Sequence, residues 1–221
     1  MKKDFWLERW ERGETGFHQN EINPHLSRHW QDLHHTYGSK VFVPLCGKSQ
    51  DMLWLRQQGH SVIGVELSSI AVQDFFSELD NTPHKSEGAK FDRYEADGVL
   101  ILCGDFFDIG KDDIAEVGVV YDRASLVALP PDMRERYVSH LVGILQPAVQ
   151  ILLITFDYPQ HEMSGPPFAV SESEVDALYR NHADVRLLSQ HDALPQNPRF
   201  QERGLSWMQE NIFLLTIHER I

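Results

Sequence analysis

The chain has 221 residues, of which 42% are hydrophobic, and this suits one α/β domain with a single core. Its 20 basic and 33 acidic residues give a formal net charge of −13, which would repel a phosphate backbone and anionic lipid headgroups. Nucleic acid and membrane surfaces are therefore not expected as partners, and the most apolar stretch, 149–156, is too short to span a bilayer. The chain has two cysteines, Cys46 and Cys103, and both lie in apolar runs that are typical of buried strands, so we expect no disulfide framework and a cytoplasmic location.

The sequence predicts one domain over 1–221, with no second domain, in which residues 1–38 form an N-terminal helical cap. An aromatic, helix-like segment ends near Trp10, and a loop follows over 13–23. A second helix then begins with Asn23 as its cap and Pro24 at its first position.

From residue 40 onward, strand and helix patterns alternate regularly. Residues 40–45 and 60–66 read as buried parallel strands, and each leads into a helix capped by a serine, Ser49 or Ser68. Further strands are expected at 99–103, 117–122 and 150–156, a small extra strand at 91–95, and helices at 131–145 and from Ser171 to 179.

The last two strand-like runs, 185–189 and 211–218, have no room between them for a crossover helix, so they should pair antiparallel. The whole pattern predicts a doubly wound, Rossmann-like, mostly parallel seven-stranded sheet that ends in an antiparallel hairpin. This arrangement is typical of methyltransferases more than of dehydrogenases.

In an open parallel sheet, ligands bind beyond the carboxyl ends of the strands, so the residues after each strand are candidates. The turn 44–49 feeds a helix N-terminus, but it holds one glycine where the dinucleotide fingerprint needs three. Glu66 closes the second strand about 20 residues later, the spacing at which an acid accepts hydrogen bonds from ribose hydroxyls. Together they indicate a nucleoside site, although the turn alone would equally fit an ordinary strand-to-helix connection.

Later strand ends and N-terminal aromatic residues add candidates. Residues 104–108 offer an aromatic face and a polar acceptor to an adenine ring, although core packing explains either phenylalanine singly. Arg123 after the fourth strand either joins the site or only neutralises Asp122. Trp10 and the loop around Phe17 would form a lid, since aromatic faces attract a sulfonium cation. No cluster has metal-ligand spacing, so no metal is expected.

Six segments are distinctive in combination: 5–10 (FWLERW), 16–19 (GFHQ), 42–48 (FVPLCGK), 59–66 (GHSVIGVE), 121–123 (YDR) and 165–168 (GPPF). Together they resemble the bacterial thiopurine S-methyltransferases, from about residue 4 to the C-terminus. The resemblance implies a class I methyltransferase fold, a monomer, and S-adenosylmethionine as the cofactor.

Carried over position by position, the resemblance assigns Trp10, Leu45, Glu66, Asp105, Phe106 and Arg123 to the cofactor site, and Phe17, Arg123 and Arg203 to the acceptor site. It implies methyl transfer to aromatic or heterocyclic thiols such as thiopurines, in which the acceptor sulfur attacks the sulfonium methyl in line. Arg123 and Arg203 would orient the anionic acceptor. Because such thiols are largely ionised near neutral pH, positioning can supply most of the rate without a strong general base.

Other functions remain open at this point. A related thiol or halide methyltransferase, or one that detoxifies selenium or tellurium compounds, would share the cofactor half of the fold. A nicotinamide-dependent oxidoreductase is supported by Glu66, but the single-glycine turn and the terminal hairpin oppose it. A non-catalytic nucleoside-binding module is the third class.

Overall fold

The computed structural model describes residues 3–16, 18–35, 38–79 and 82–219. The chain forms two compact units, Met1–Tyr121 and Asp122–Ile221. Among the described residues, no helix is both long enough and apolar enough to cross a bilayer.

The first unit combines helices with mostly parallel strands. Its strands occur in the order β3-β4-β5-β2-β1-β6; β5, β2, β1 and β6 run parallel, and β3 and β4 add an antiparallel edge. The elements are α1 (Lys3–Glu11), α2 (Pro24–His29), β1 (Lys40–Val43), α3 (Asp51–Gln57), β2 (Ser61–Glu66), α4 (Ser69–Ser77), β3 (His84–Ser86), β4 (Asp92–Ala96), β5 (Val99–Cys103) and β6 (Val117–Arg123), whose last two residues enter the second unit.

Two of the predicted helix caps in this unit, Asn23 and Ser68, are confirmed by their hydrogen bonds. The prediction of Ser49 as the cap of α3 is wrong by one residue, because Gln50 occupies the cap position and the Ser49 hydroxyl instead accepts from Asp51 N at 3.2 Å. The Asn23 side chain accepts from two backbone N–H groups at the start of α2, and the Ser68 hydroxyl accepts from Ala71 N at 3.3 Å. The segment before α2 is tied to the sheet as well, because buried Asp51 accepts from Asn23 N at 2.8 Å and from the Tyr121 hydroxyl at 2.9 Å.

His60 in the Gly-His-Ser-Val segment has a structural role. Its Nδ1 donates to the Ser39 carbonyl, and its Nε2 accepts from the Trp30 indole N–H, each at 3.2 Å. Both contacts suit the neutral imidazole, and burial lowers the pKa of His60. The histidine therefore packs the cap against the start of β2 in its uncharged form.

The second unit is an antiparallel sheet flanked by helices, with strand order β7-β9-β8. Its elements are α5 (Pro131–Ile144), β7 (Gln150–Asp157), α6 (Glu172–Tyr179), β8 (Ala183–Asp192), α7 (Pro198–Glu202) and β9 (Gln209–Ile217). The pairing of β8 with β9 confirms the terminal hairpin, and Ser171 caps α6 by accepting from Glu174 N.

The sheet differs from its sequence prediction in detail. The described residues contain nine strands where the alternation predicts seven and a small extra one. β4 is that extra strand. β3 is not predicted, because all of its residues are exposed and its sequence shows no hydrophobic pattern. β1 ends at Val43, two residues early, because Leu45 turns the chain at φ +45°. Cys46 consequently lies in a turn rather than in a strand.

Candidate cofactor and acceptor sites

The turn after β1 changes the direction of the chain at the end of the strand. Leu45 and Gly47 both have positive φ, 45° and 53°. For a non-glycine residue such as Leu45, this conformation costs about 1–2 kcal/mol, so the surrounding structure must hold it in place. Part of that support is the hydrogen bond from Cys46 N to Val65 O, 3.0 Å, which pins the turn to β2.

Glu66, at the end of β2, closes this turn from the side. Its Oε2 accepts from Gly47 N at 2.9 Å and its Oε1 accepts from Ser68 N at 2.8 Å, and the residue is only 6% exposed. Burial raises the pKa of Glu66, while the backbone donors, including Leu67 N, oppose that rise. A carboxylate offers about four lone-pair positions, so Glu66 keeps the capacity to accept from a ligand hydroxyl.

Trp10 lies against the same turn. A Cβ built on Gly47 would come within 3.4 Å of the Trp10 ring atom Cζ2, so the indole covers the turn where it lacks a side chain. Trp10 is 5% exposed, and it is the buried residue of α1. The structure thus brings together Trp10, the turn containing Leu45, and Glu66.

The strand end after β5 lies beside Glu66, because Gly104 N donates to the Glu66 carbonyl at 2.8 Å. Asp105 follows; its side chain caps a short 3₁₀ turn by accepting from Phe107 N, and it forms a 2.5 Å ion pair with Lys3 of α1. Phe106 is buried and packs edge-on against Phe107 at 5.4 Å between ring centroids. Asp105 is therefore the more accessible of the two predicted adenine contacts.

In the second unit, Arg123 ends β6 directly after Asp122. Asp122 is fully buried and accepts from the Tyr137 hydroxyl at 2.7 Å and from Leu126 N at 3.4 Å. Burial raises the pKa of Asp122 to about 6, against the opposing effect of these donors. Ala124, the residue after Arg123, has φ +64°, so the chain turns sharply there and Asp122 anchors that turn.

Arg203 lies at the C-terminal end of α7 and is exposed. Arg199, one helical turn earlier, was not singled out by the sequence, yet its guanidinium stacks on the Phe200 ring at 4.6 Å from the centroid. Partial removal from water lowers the pKa of Arg199, and the positive charges of Arg203 and Arg123 lower it further. Arg199 therefore lies within electrostatic range of both Arg203 and Arg123, the two arginines predicted for the acceptor site.

The Gly-Pro-Pro-Phe segment is anchored within the second unit. Phe168 N donates to Val127 O at 2.7 Å, and the Tyr158 hydroxyl donates to Pro167 O at 2.6 Å. The guanidinium of buried Arg134 lies 5.9 Å from the centre of the Phe168 ring and pairs with Glu174 at 2.5 Å. Phe17, the remaining predicted acceptor residue, lies outside the described residues.

The sequence matches those of known proteins over nearly its whole length. The family described as "Thiopurine S-methyltransferase" matches residues 1–218. Thiopurine S-methyltransferases from Nitrosospira multiformis and Pseudomonas fluorescens are 62% and 47% identical over 215 and 213 residues. The alignments cover 97% and 96% of this chain and 98% of each relative.

Solved structures are similar in fold at low sequence identity. One is the Burkholderia thailandensis 1,6-didemethyltoxoflavin-N1-methyltransferase, solved with bound 1,6-didemethyltoxoflavin and S-adenosylhomocysteine. Its TM-score is 0.66 at 15% identity, and the match covers 98% of this chain and 87% of that one. An S-adenosylmethionine-dependent methyltransferase from Anabaena variabilis gives 0.66 at 13% identity, with 98% and 95% coverage.

The fold is that of a class I methyltransferase, which confirms the predicted fold class, and the protein is an enzyme that uses S-adenosylmethionine. Within that class, the chain belongs to the thiopurine S-methyltransferase family. The resemblance stated from the motifs is thereby confirmed at the level of the family.

Proposed function

We propose that this enzyme transfers the methyl group of S-adenosylmethionine to the sulfur of aromatic or heterocyclic thiols, as the name of its family describes. The observation that carries the proposal is the group formed by Arg123, Arg199 and Arg203 in a chain whose net charge is −13. A local positive field in an acidic protein suits an anionic acceptor, and aromatic thiols are such acceptors once ionised.

The cofactor is proposed to bind at the turn after β1. Glu66 has spare acceptor capacity for ribose hydroxyls, the absent side chain of Gly47 lets Trp10 lie close to the turn, and Trp10 offers an aromatic surface to a cation. Leu45, Asp105 and Phe106 complete the proposed cofactor set, together with Arg123. When bound, S-adenosylmethionine supplies an electrophilic methyl group.

The chain's own contribution is to hold the acceptor sulfur as a thiolate and to fix its direction. Arg123 and Arg203 do this as permanent cations, since an arginine stays protonated at any physiological pH. They lower the acceptor's thiol pKa by the same attraction that binds it. Phe17 is proposed to line the acceptor site.

A methyl-transfer assay with labelled cofactor tests this function. The panel contains a thiopurine, a simple aromatic thiol, a selenium compound and iodide, and the expected result is methylation of the two thiols in preference to the others. Preferential methylation of the selenium compound or of iodide would contradict the thiol assignment and would indicate a selenium or halide acceptor instead. Cofactor binding with no transfer to any acceptor would favour a non-catalytic module, and tighter binding of NAD than of S-adenosylmethionine would contradict the cofactor assignment.

The remaining expectations also belong to this proposal. We infer a monomer that works in the cytoplasm as one functional domain over 1–221, with 1–38 as a cap. It needs no metal and binds neither nucleic acid nor membranes. Light scattering at assay concentration checks the monomer, and activity that survives chelator treatment checks the metal.

A further inference from the structure

Helix α7 presents two arginines from an anchored position. Arg199 and Arg203 are four residues apart across this helical turn, so their Cβ atoms lie about 5–6 Å apart on one side. Phe200 between them is buried in a hydrophobic cluster, whose other buried members are Tyr158, Met163, Ala193, Leu205 and Met208. The buried Phe200 side chain therefore anchors the helix that carries the two arginines.

A second contact fixes the segment that follows α7. Both carboxylate oxygens of Glu162 accept hydrogen bonds from Ser206, from its N–H at 2.8 Å and from its hydroxyl at 2.9 Å. The Glu162 carboxylate therefore holds the backbone at Ser206 in place. A preorganised segment loses less conformational entropy when a ligand binds to it.

Within the described part of the chain, neither arginine of this helix is held by an ion pair. Over residues 3–16, 18–35, 38–79 and 82–219, the structure gives the guanidiniums of Arg199 and Arg203 no carboxylate within ion-pair distance. The Arg199 guanidinium lies over the Phe200 ring, and a guanidinium in this position can still donate hydrogen bonds from its N–H edge. Such an edge matches the two oxygens of a carboxylate.

We propose that Arg199 is a specificity-determining residue that binds a carboxylate on the acceptor, so that the preferred substrates are aromatic thiols carrying a carboxylate away from the sulfur. The inference rests on the proposed function, in which Arg123 and Arg203 hold the thiolate. One thiolate carries one negative charge, whereas the group contains three cations. The spacing of Arg199 from Arg203 suits a carboxylate across the ring from the sulfur, as in 4-mercaptobenzoate.

The test compares matched ligands and matched variants. 4-Mercaptobenzoate and its methyl ester differ in one charge, and Arg199→Met keeps an apolar stem over Phe200 while removing the guanidinium. Arg199→Lys restores the charge without the planar fork. Arg180→Ala, at an exposed ion pair with Asp176 on α6, removes one positive charge elsewhere and serves as the control.

We expect Arg199→Met to lower kcat/KM for 4-mercaptobenzoate by about 10-fold or more, mainly through KM, because the contact binds ground state and transition state alike. The methyl ester should change by less than about threefold, Arg199→Lys should recover part of the loss, and Arg180→Ala should leave both acceptors unchanged. Added salt should raise KM for the carboxylate in the wild type and much less in Arg199→Met.

Equal losses for the acid and the ester in Arg199→Met, or no wild-type preference for the acid, would overturn the inference while leaving thiol methylation intact. If no thiol is methylated, the proposed function fails by itself. The inference then depends on calorimetric binding of 4-(methylthio)benzoate to the wild type and to Arg199→Met in the presence of S-adenosylhomocysteine. Equal affinities there would overturn it, and a loss of about 10-fold in the variant would support it.

Discussion

The Tyr137 hydroxyl donates a 2.7 Å hydrogen bond to the carboxylate of Asp122, and both side chains are completely buried in the second unit. Asp122 also accepts from Leu126 N, and so links β6 to the turn that follows Arg123. The carboxylate thereby fixes the backbone from which Arg123 projects. Burial raises its pKa to about 6, which gives this structural role a measurable dependence on pH.

Asp122→Asn should flatten the dependence of stability on pH between about 4 and 6. The folded state binds the Asp122 proton more tightly than the unfolded chain does, because the folded pKa is raised. Asp122 therefore contributes most to stability at pH values below its pKa in the unfolded chain. As the pH rises to about 6, this contribution of about 3 kcal/mol is lost. Asparagine cannot titrate, so this loss disappears.

Urea unfolding of wild type and Asp122→Asn at several pH values measures that difference. Tyr137→Phe provides the comparison, since it removes a donor to the carboxylate and should raise the pKa of Asp122 further. Parallel stability profiles for wild type and Asp122→Asn would show that the buried carboxylate does not titrate in this range.

Glu66→Gln should weaken S-adenosylmethionine binding by about 10- to 150-fold, equivalent to about 1.5–3 kcal/mol for charge-assisted hydrogen bonds. Because burial raises the pKa of Glu66, wild-type affinity should be complete above that pKa and fall as pH drops through it. The glutamine variant should lack this pH dependence. Titration calorimetry measures both effects, with exposed Glu95→Gln as the control. An unchanged dissociation constant would refute the ribose-binding role.

Cys46→Ser should retain turnover within about threefold. Burial raises the pKa of the Cys46 thiol well above its usual range, and the charge of Glu66 adds to the rise. The group therefore stays protonated, and a protonated thiol is a poor nucleophile. Steady-state kinetics on folded protein checks this, and a complete loss of activity would instead indicate covalent catalysis by Cys46.

Gly64→Ala should destabilise the first unit by about 1–3 kcal/mol, as overpacking of a filled core does. A Cβ at Gly64 would lie 2.6 Å from the Cys46 sulfur and 3.3 Å from the Met52 sulfur. Cys46→Ala removes the closer sulfur, so the double variant should lose less stability than the sum of the single changes.

The control for this cycle is Gly143→Ala, where a Cβ meets nothing within 4 Å on helix α5, and stability should rise by up to about 1 kcal/mol. Urea unfolding of the four proteins in the cycle gives the coupling energy. Strict additivity of Gly64→Ala and Cys46→Ala would contradict the predicted contact between the two positions.

Local signals explain which parts of the structure could be predicted from the sequence. The caps at Asn23, Ser68 and Ser171 were predictable because a capping side chain bonds backbone only two or three residues away. Glu66 was predictable because the strand pattern fixes where β2 ends. β3 was missed because its three residues are exposed and show no hydrophobic alternation.

Tertiary contacts explain what the sequence could not show. The hydrogen bond between Asp122 and Tyr137 joins residues 15 apart along the chain, and no helical or strand periodicity in the sequence predicts it. Helix α7 is five residues long and lies in a polar stretch, so Arg199 had no helical pattern around it. One signal was available, because Pro198 follows Asn197 as it would at a helix start, and the start of a helix there aligns Arg199 with Arg203.

Arg123→Ala should lower kcat/KM for an aromatic thiol by about 10- to 150-fold, equivalent to about 1.5–3 kcal/mol for a lost charge-assisted contact. Arg123→Lys should recover only part of this, because lysine lacks the planar fork. The alternative is that Arg123 serves the protein's own carboxylates. Asp122 is bonded to Tyr137 and to Leu126 N, so these donors hold its carboxylate in place.

Melting temperature, cofactor affinity and turnover measured on one Arg123→Ala sample distinguish these roles. A role in acceptor binding predicts a large loss of kcat/KM with a melting temperature close to that of the wild type. Cofactor affinity should fall as well, if Arg123 belongs to both proposed sites. A lowered melting temperature with normal turnover per folded molecule would mean that Arg123 stabilises the chain and does not contact the acceptor.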